Sequence, residues 1–305
     1  MRAATLFALF AAAAPAANPP VKIGPRTAIR VPYWSDGSPA GPVSAKVNGQ
    51  PAKVTRTLSP DDDLMMLLVL DLAGDLAQAD PAREAVIAAA GKLPPNAYVG
   101  LLRAQDGLRV LSDPSPDRGP LAETIRALNI GGRAGLLDTV ETAAQLGDAV
   151  LAKSAVRVAI LYITDSSIGN YREDFTNPVV NSGDSRDMSR RFPEGLVKEK
   201  ISRLSASLGS AETPLFIVHL NYQSDRISEA YQTGLLEIAT ASAGTAVFCR
   251  SVAEIPSAID QAFASIGSHR SLEIQLPPGK ARQWDVELAG EGGALRYRQR
   301  ISGRK

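Results

Sequence analysis

The stretch Leu67-Leu68-Val69-Leu70-Asp71-Leu72-Ala73-Gly74-Asp75 constrains the fold more than any other in the chain. An unbroken apolar run that stops at an acid and a glycine-containing loop reads as a strand buried on both faces. The stretch from Val156 to Asp165 repeats the arrangement, ending in Ile163-Thr164-Asp165. Open α/β sheets bind ligands outside the carboxyl ends of their strands, so Asp71 and Asp165 mark one candidate site.

From Leu64 to about Ile266 apolar runs alternate with helical stripes, which predicts a doubly wound, mostly parallel sheet with helices on both faces. Helices are expected near Pro81 to Lys92 and over Asp138 to Leu151. Three further apolar stripes are Val197, Ile201, Leu204 and Leu208; Ile227, Tyr231, Leu235 and Ile238; and Ile259, Phe263 and Ile266. Their three-to-four spacing marks core-facing surfaces. Further strands are expected at 98–103, 108–111, 214–220 and 245–249. The flanks differ. Residues 21–60 alternate as half-buried strands do, with Asn48-Gly49 as a hairpin turn, and residues 270–303 return to the same alternation. These two flanks are expected to pack together as a small β module beside the α/β domain of residues 64–267. Asp61-Asp62-Asp63 reads as a solvated linker between them, and the basic end around Arg296, Arg298 and Arg300 as the solvated face of a last strand.

The amino terminus has the form of a secretory signal over residues 1–17. Arg2 supplies a positive start, Ala3 to Ala14 is apolar but too short to span a bilayer, and Ala14-Pro15-Ala16 offers small residues for cleavage. An exported protein, periplasmic or secreted, is expected, without stable membrane insertion. The formal net charge of +1 removes any bulk attraction to nucleic acid. Cys249 is the single cysteine, so no internal disulfide forms, and its apolar neighbours read it as a core residue. His219 and His269 read as structural or surface histidines. No nucleophile elbow, phosphate-binding loop, dinucleotide fingerprint or zinc-protease motif occurs.

These residues resemble the von Willebrand factor type A domain, and the β–α/β–β order resembles the exported VWFA-related proteins of acidobacterial type. The resemblance is carried by Asp71 to Asp75, by Gly131-Gly132-Arg133-Ala134-Gly135-Leu136-Leu137-Asp138, and by Ile163 to Ser166. Asp36 to Gly41 and Val47 to Pro51 are similar to the family's leading β module. The resemblance implies a metal-ion-dependent adhesion site built from three loops: an Asp-x-Ser-x-Ser loop, a threonine and a further aspartate. Here the first aspartate is Asp71, but the two serine positions hold Ala73 and Asp75, the threonine position holds Ala134, and the last aspartate is Asp165. Magnesium demands near-octahedral oxygen coordination, and neither alanine offers a side-chain oxygen. The expectation is a degenerate site of Asp71, Asp75 and Asp165 holding magnesium or another divalent cation weakly or not at all. The competing expectation is that Asp71 and Asp165 simply hydrogen-bond loop amides or cap a helix.

What the resemblance implies for function is a protein-binding module, not an enzyme, engaging a partner in the cell envelope or outside the cell at the carboxyl-end rim. Ser166, Ser167 and Asn170 open the long polar stretch 166–194, a candidate for partner contact. Two alternatives stand beside it: a metal-free structural envelope protein, and a hydrolase using the acidic cluster.

Overall fold

A computed structural model describes residues 27–35, 42–74, 76–168, 193–278, 281–290 and 293–303. The proposed signal segment, Asp36 to Gly41, Asp75 and most of the 166–194 stretch, including Asn170, lie outside the described residues.

The centre is a six-stranded sheet in the order β10-β9-β8-β5-β6-β7. Its middle strand is β5 (Leu64–Asp71), flanked in parallel by β6 (Ala97–Arg103) and β8 (Arg157–Thr164). Beyond β8 lie β9 (Leu215–His219) and β10 (Thr245–Phe248), both parallel. All residues of β5 and β8 are buried, as their unbroken apolar runs require. The stretch expected at 108–111 is longer, β7 (Arg109–Ser115), and runs antiparallel as an exposed edge.

Alternate residues of β5 serve two cores. Leu64, Met66, Leu68 and Leu70 face α1 (Leu76–Gly91), α2 (Gly119–Ala127) and α6 (Ile255–Ser268). Met65, Leu67 and Val69 face α3 (Leu136–Lys153), α4 (Pro193–Leu208) and α5 (Arg226–Ala241). The stripes expected from the sequence line these cores: Val197, Ile201, Leu204 and Leu208 are buried, as are Tyr231, Leu235, Ile238, Ile259, Phe263 and Ile266. Cys249 is buried among them. His219 lies in β9 and His269 just after α6, and both are buried.

The flanking strands form the expected β module, a two-sheet sandwich. One sheet has the order β13-β1-β11-β4, the other β14-β12-β2-β3. The first joins β13 (Leu295–Tyr297), β1 (Ala28–Ser35), β11 (Arg270–Gln275) and β4 (Val54–Leu58). The second joins β14 (Arg300–Ser302), β12 (Gln283–Ala289), β2 (Ser44–Val47) and β3 (Gln50–Ala52). Asn48 and Gly49 turn β2 into β3 with φ of 51° and 75°, the left-handed pair that a tight hairpin demands. Lys53 alone links β3 to β4, and two residues link β13 to β14. At each edge the chain therefore steps from one sheet to the other, which leaves little free strand for unwanted pairing. Ile29, Val31, Tyr33, Leu272 and Ile274 of one sheet meet Val47, Trp284, Val286 and Ile301 of the other.

Arginines join this sandwich to the amino end of the α/β sheet. The buried Arg157, at the start of β8, donates to the carbonyls of Pro60, Asp62, Gly267 and His269 at 2.7 to 3.0 Å. Those carbonyls belong to the two connections between sandwich and sheet. Asp61, Asp62 and Asp63 expose their side chains, but the backbone of this linker is held firmly. The Arg298 guanidinium donates to the carbonyls of Leu208, Ala211 and Ala241, near the ends of α4 and α5. This corrects the expectation of a purely solvated basic end: Arg298 satisfies helix carbonyls and Arg296 stacks on Trp34 at 4.2 Å. The Trp34 indole N–H donates to Ser265. The sandwich thus sits at the amino end of the sheet, opposite the carboxyl-end rim.

Candidate functional site

Register brings the two acidic strand tips together. Asp71 pairs with Thr164 across β5 and β8, and the Asp165 amide donates to the Asp71 carbonyl at 3.3 Å. The side chains of both aspartates are turned to the protein's own donors. Asp71 Oδ1 accepts from the Gly135 amide at 2.9 Å. Asp71 Oδ2 accepts from the Leu136 amide at 3.1 Å and the Thr164 hydroxyl at 3.0 Å. Asp165 Oδ1 accepts from the Ala73 amide at 2.7 Å, and Oδ2 from the Gly74 amide at 2.8 Å.

Each contact has a local cause. Helix α3 begins after Gly135, which has no side chain to satisfy the first amides. Asp71 supplies that cap from another strand. Gly135 is required by close approach: a β-carbon there would stand 2.0 Å from the Ala104 carbonyl oxygen. The loop before it is tied down by the Gly131 amide on the Leu72 carbonyl and by Arg133 on Asp106, and the Gln105 side chain donates to the same Leu72 carbonyl from the loop after β6.

Burial and hydrogen bonding oppose each other at Asp71. Desolvation lifts its pKa to about 6; the Gly135 and Thr164 donors pull it back, while nearby Asp165 pushes it up. Beside it runs a chain of buried hydroxyls. Thr164 Oγ1 lies 2.7 Å from Ser166 Oγ, which lies 2.8 Å from the Tyr231 hydroxyl. Thr164 Oγ1 is placed to donate to either Asp71 Oδ2 or Ser166 Oγ, and its single hydrogen serves one of them at a time. His219 Nε2 lies 2.7 Å from the Ser166 carbonyl, and burial depresses the imidazole pKa, which keeps the ring neutral.

Of the residues expected at the site, Asp71, Asp165, Ser166 and Ser167 gather at the rim, and Asp75 and Asn170 fall outside the described residues. Ser166 is fully buried, so its hydroxyl faces the network and not a partner; Ser167 is half-buried at the surface. The sequence did not single out Gln105, Tyr231 or the amides of Ala73, Gly74, Gly135 and Leu136. Only Gly135 carried a signal, as a glycine directly before a helical stripe.

The family's cation fits this donor set poorly. A divalent ion needs converging oxygens, whereas among the described residues the amides of Ala73, Gly74, Gly135 and Leu136 and the Thr164 hydroxyl point at the two carboxylates. Ala73 and Ala134 add no side-chain oxygen, and Ala134 is buried. Among the described residues, no group of three His, Cys, Asp or Glu side chains is placed to hold a metal. No helix among them is long and apolar enough to cross a membrane.

No protein-family model and no curated protein matches the chain. Solved structures do. A von Willebrand factor type A protein from Catenulispora acidiphila is 10% identical with a TM-score of 0.48, covering 91% of this chain and 74% of its own. A variant of the PilB minor pilin from Streptococcus sanguinis is 12% identical with a TM-score of 0.50, covering 68% and 62%. The vWF domain of the type V pili tip protein Mfa5 from Porphyromonas gingivalis is 14% identical with a TM-score of 0.46, covering 67% and 95%. At such identities the likeness is one of fold. The sheet order and helical layers described above are those expected of the von Willebrand factor type A fold, and the minor pilin match agrees with them.

Proposed function

We propose that this chain is an exported protein-binding module that engages its partner at the carboxyl-end rim of the sheet, without catalysing a reaction. Export rests on the signal-like residues 1–17, and domain limits near 21–60, 64–267 and 270–303 are part of the same reading. The observation that carries the rim assignment is Leu76. It opens α1 directly after the first rim loop, and its side chain is 64% exposed, the most exposed large apolar residue described. Removing that apolar side chain from water is the contribution we assign to a bound partner. Ser167 lies on the same rim, and the rest of the 166–194 stretch follows it in the sequence. At Asp71, Asp75 and Asp165, the positions that the resemblance assigns to a cation, binding is expected to be weak or absent. That a minor pilin shares the fold is in keeping with a protein-binding role.

The test is capture of partners from envelope extract by the mature protein, its Leu76→Asp variant and a chain lacking residues 166–194. A partner retained by the parent and lost with Leu76→Asp supports the rim. Capture indifferent to both changes would sink it and favour a structural envelope protein. Hydrolysis that disappears with Asp165→Asn would instead establish an enzyme. Calorimetric titration with magnesium, manganese and calcium is expected to show weak heats or none.

A further inference from the structure

We infer that the rim loops of this domain are latched by carboxylate-to-amide hydrogen bonds that take the place of a metal ion. The inference deepens the proposed function at the same rim, but its test needs no partner, so the two readings fail separately.

A cation in such a site joins loops by drawing oxygens from each of them to one point. Here the same three loops are joined by other means. Asp165, from the loop after β8, reaches into the loop after β5 and holds two consecutive amides, Ala73 and Gly74, one on each carboxylate oxygen. Asp71, at the end of β5, reaches to the third loop and holds the consecutive amides of Gly135 and Leu136 in the same manner. The Thr164 hydroxyl ties Asp71 back to β8. Two carboxylates thus link three loops through five donors, each within hydrogen-bond distance.

The polarity of this arrangement is opposite to that of a cation site. Amide hydrogens aimed at one region make it positive, a nest suited to an anion, and the anion present is the side chain itself. A divalent ion placed there would face the inward amide hydrogens and would have to displace charge-assisted bonds that already exist. The substitution pattern agrees. Serine and threonine side chains matter to a metal because they supply oxygen, whereas a latch made from backbone N–H groups is indifferent to the side chain. Ala73 and Ala134 therefore cost the latch nothing.

Amide hydrogen exchange on the full mature chain tests the inference, read at Ala73, Gly74, Gly135 and Leu136 with chelator and with magnesium, manganese or calcium. The latch predicts exchange rates unchanged by any of these cations. It also predicts that Asp165→Ala speeds exchange at Ala73 and Gly74 by about tenfold or more, the loss expected for a charge-assisted bond. Gly135 and Leu136, held by Asp71, stay slow in that variant. Asp165→Asn keeps one acceptor and is expected to release one of the two amides, which preserves the test should the alanine variant not fold. Saturable slowing of these amides by a divalent cation overturns the inference, as does an Asp165→Ala chain whose Ala73 and Gly74 amides remain protected. Partner capture plays no part in either result.

Discussion

His269 offers a quantitative test of how tightly the sandwich is joined to the α/β sheet. It follows α6, lies fully inside the junction with Nδ1 2.6 Å from the Ile266 carbonyl, and packs near Trp34 at 6.0 Å between ring centres. Burial lowers its pKa from 6.5 to about 4, with Arg157 adding to the effect and the Ile266 carbonyl opposing it. The unfolded chain therefore binds more protons than the folded one between pH 4 and 6.5. The stability held by neutral His269 is complete above about pH 6.5 and is lost as pH falls toward about 4. A shift of this size is worth about 3 kcal/mol in full, of which about 2 kcal/mol is lost between pH 7 and pH 5.

Asp71 acts in the opposite direction. Its pKa rises from 3.8 to about 6 on folding, so the folded chain binds more protons in that window and stability increases on acidification. Over the same step from pH 7 to pH 5 its contribution is about 1 kcal/mol of gain. The two buried groups partly cancel, and the parent profile alone is uninformative. The variant His269→Gln separates them. In urea unfolding at pH 7 and pH 5, the parent is expected to lose about 2 kcal/mol more than the variant. Parallel losses in the two proteins would refute the argument, because a histidine that titrates alike folded and unfolded is not sealed inside a junction.

Two further substitutions test the backbone geometry. Gly135→Ala places a β-carbon 2.0 Å from the Ala104 carbonyl and should destabilise the chain by about 3 kcal/mol in denaturant titration. Gly91→Ala, with nothing within 4 Å of the added atom, should be neutral or stabilising and serves as the control. Arg157→Met leaves the carbonyls of Pro60, Asp62, Gly267 and His269 without their donor and should cost about 3 kcal/mol or more. Because that arginine spans both connections, its loss should also split thermal unfolding into separate transitions; a single sharp transition at the parent temperature would contradict the clamp.

The parts of this molecule that were legible in the sequence are those written in side-chain period. The apolar runs of β5 and β8, the stripes of α3, α4, α5 and α6, and the Asn48-Gly49 turn each follow from burial or from φ preference at named residues. The meeting of Asp71 and Asp165 was legible too, because parallel strands of a doubly wound sheet place their carboxyl ends at one rim. The antiparallel sense of β7 was not, since alternation along a strand carries no information on direction. Helix α2, nine residues long and with only Leu121 and Ile125 buried, gave too short a stripe to stand out. Arg298 was misread, and Arg157 passed over, for a different reason. Their partners are carbonyl groups at chain connections far away in sequence, and every residue has a carbonyl.

That last reason bears on the rim itself. A metal site built from side chains leaves its signature in residue identity, so replacing serine by Ala73 or threonine by Ala134 reads as loss. A site built from amides leaves almost no signature, because Ala73 donates its N–H as well as any serine would. The sequence therefore shows two acids with their expected partners missing, while the structure shows the same acids fully engaged. Buried carboxylates demand compensation wherever they occur. Once side-chain ligands are gone, loop amides and the start of a helix are the donors near enough to provide it. An acidic strand tip whose expected serine and threonine ligand positions hold Ala73 and Ala134 is then better read as an anchor for loops than as the remnant of a cation site. That reading leaves the shape of the rim, and the apolar Leu76 beside it, to set what binds.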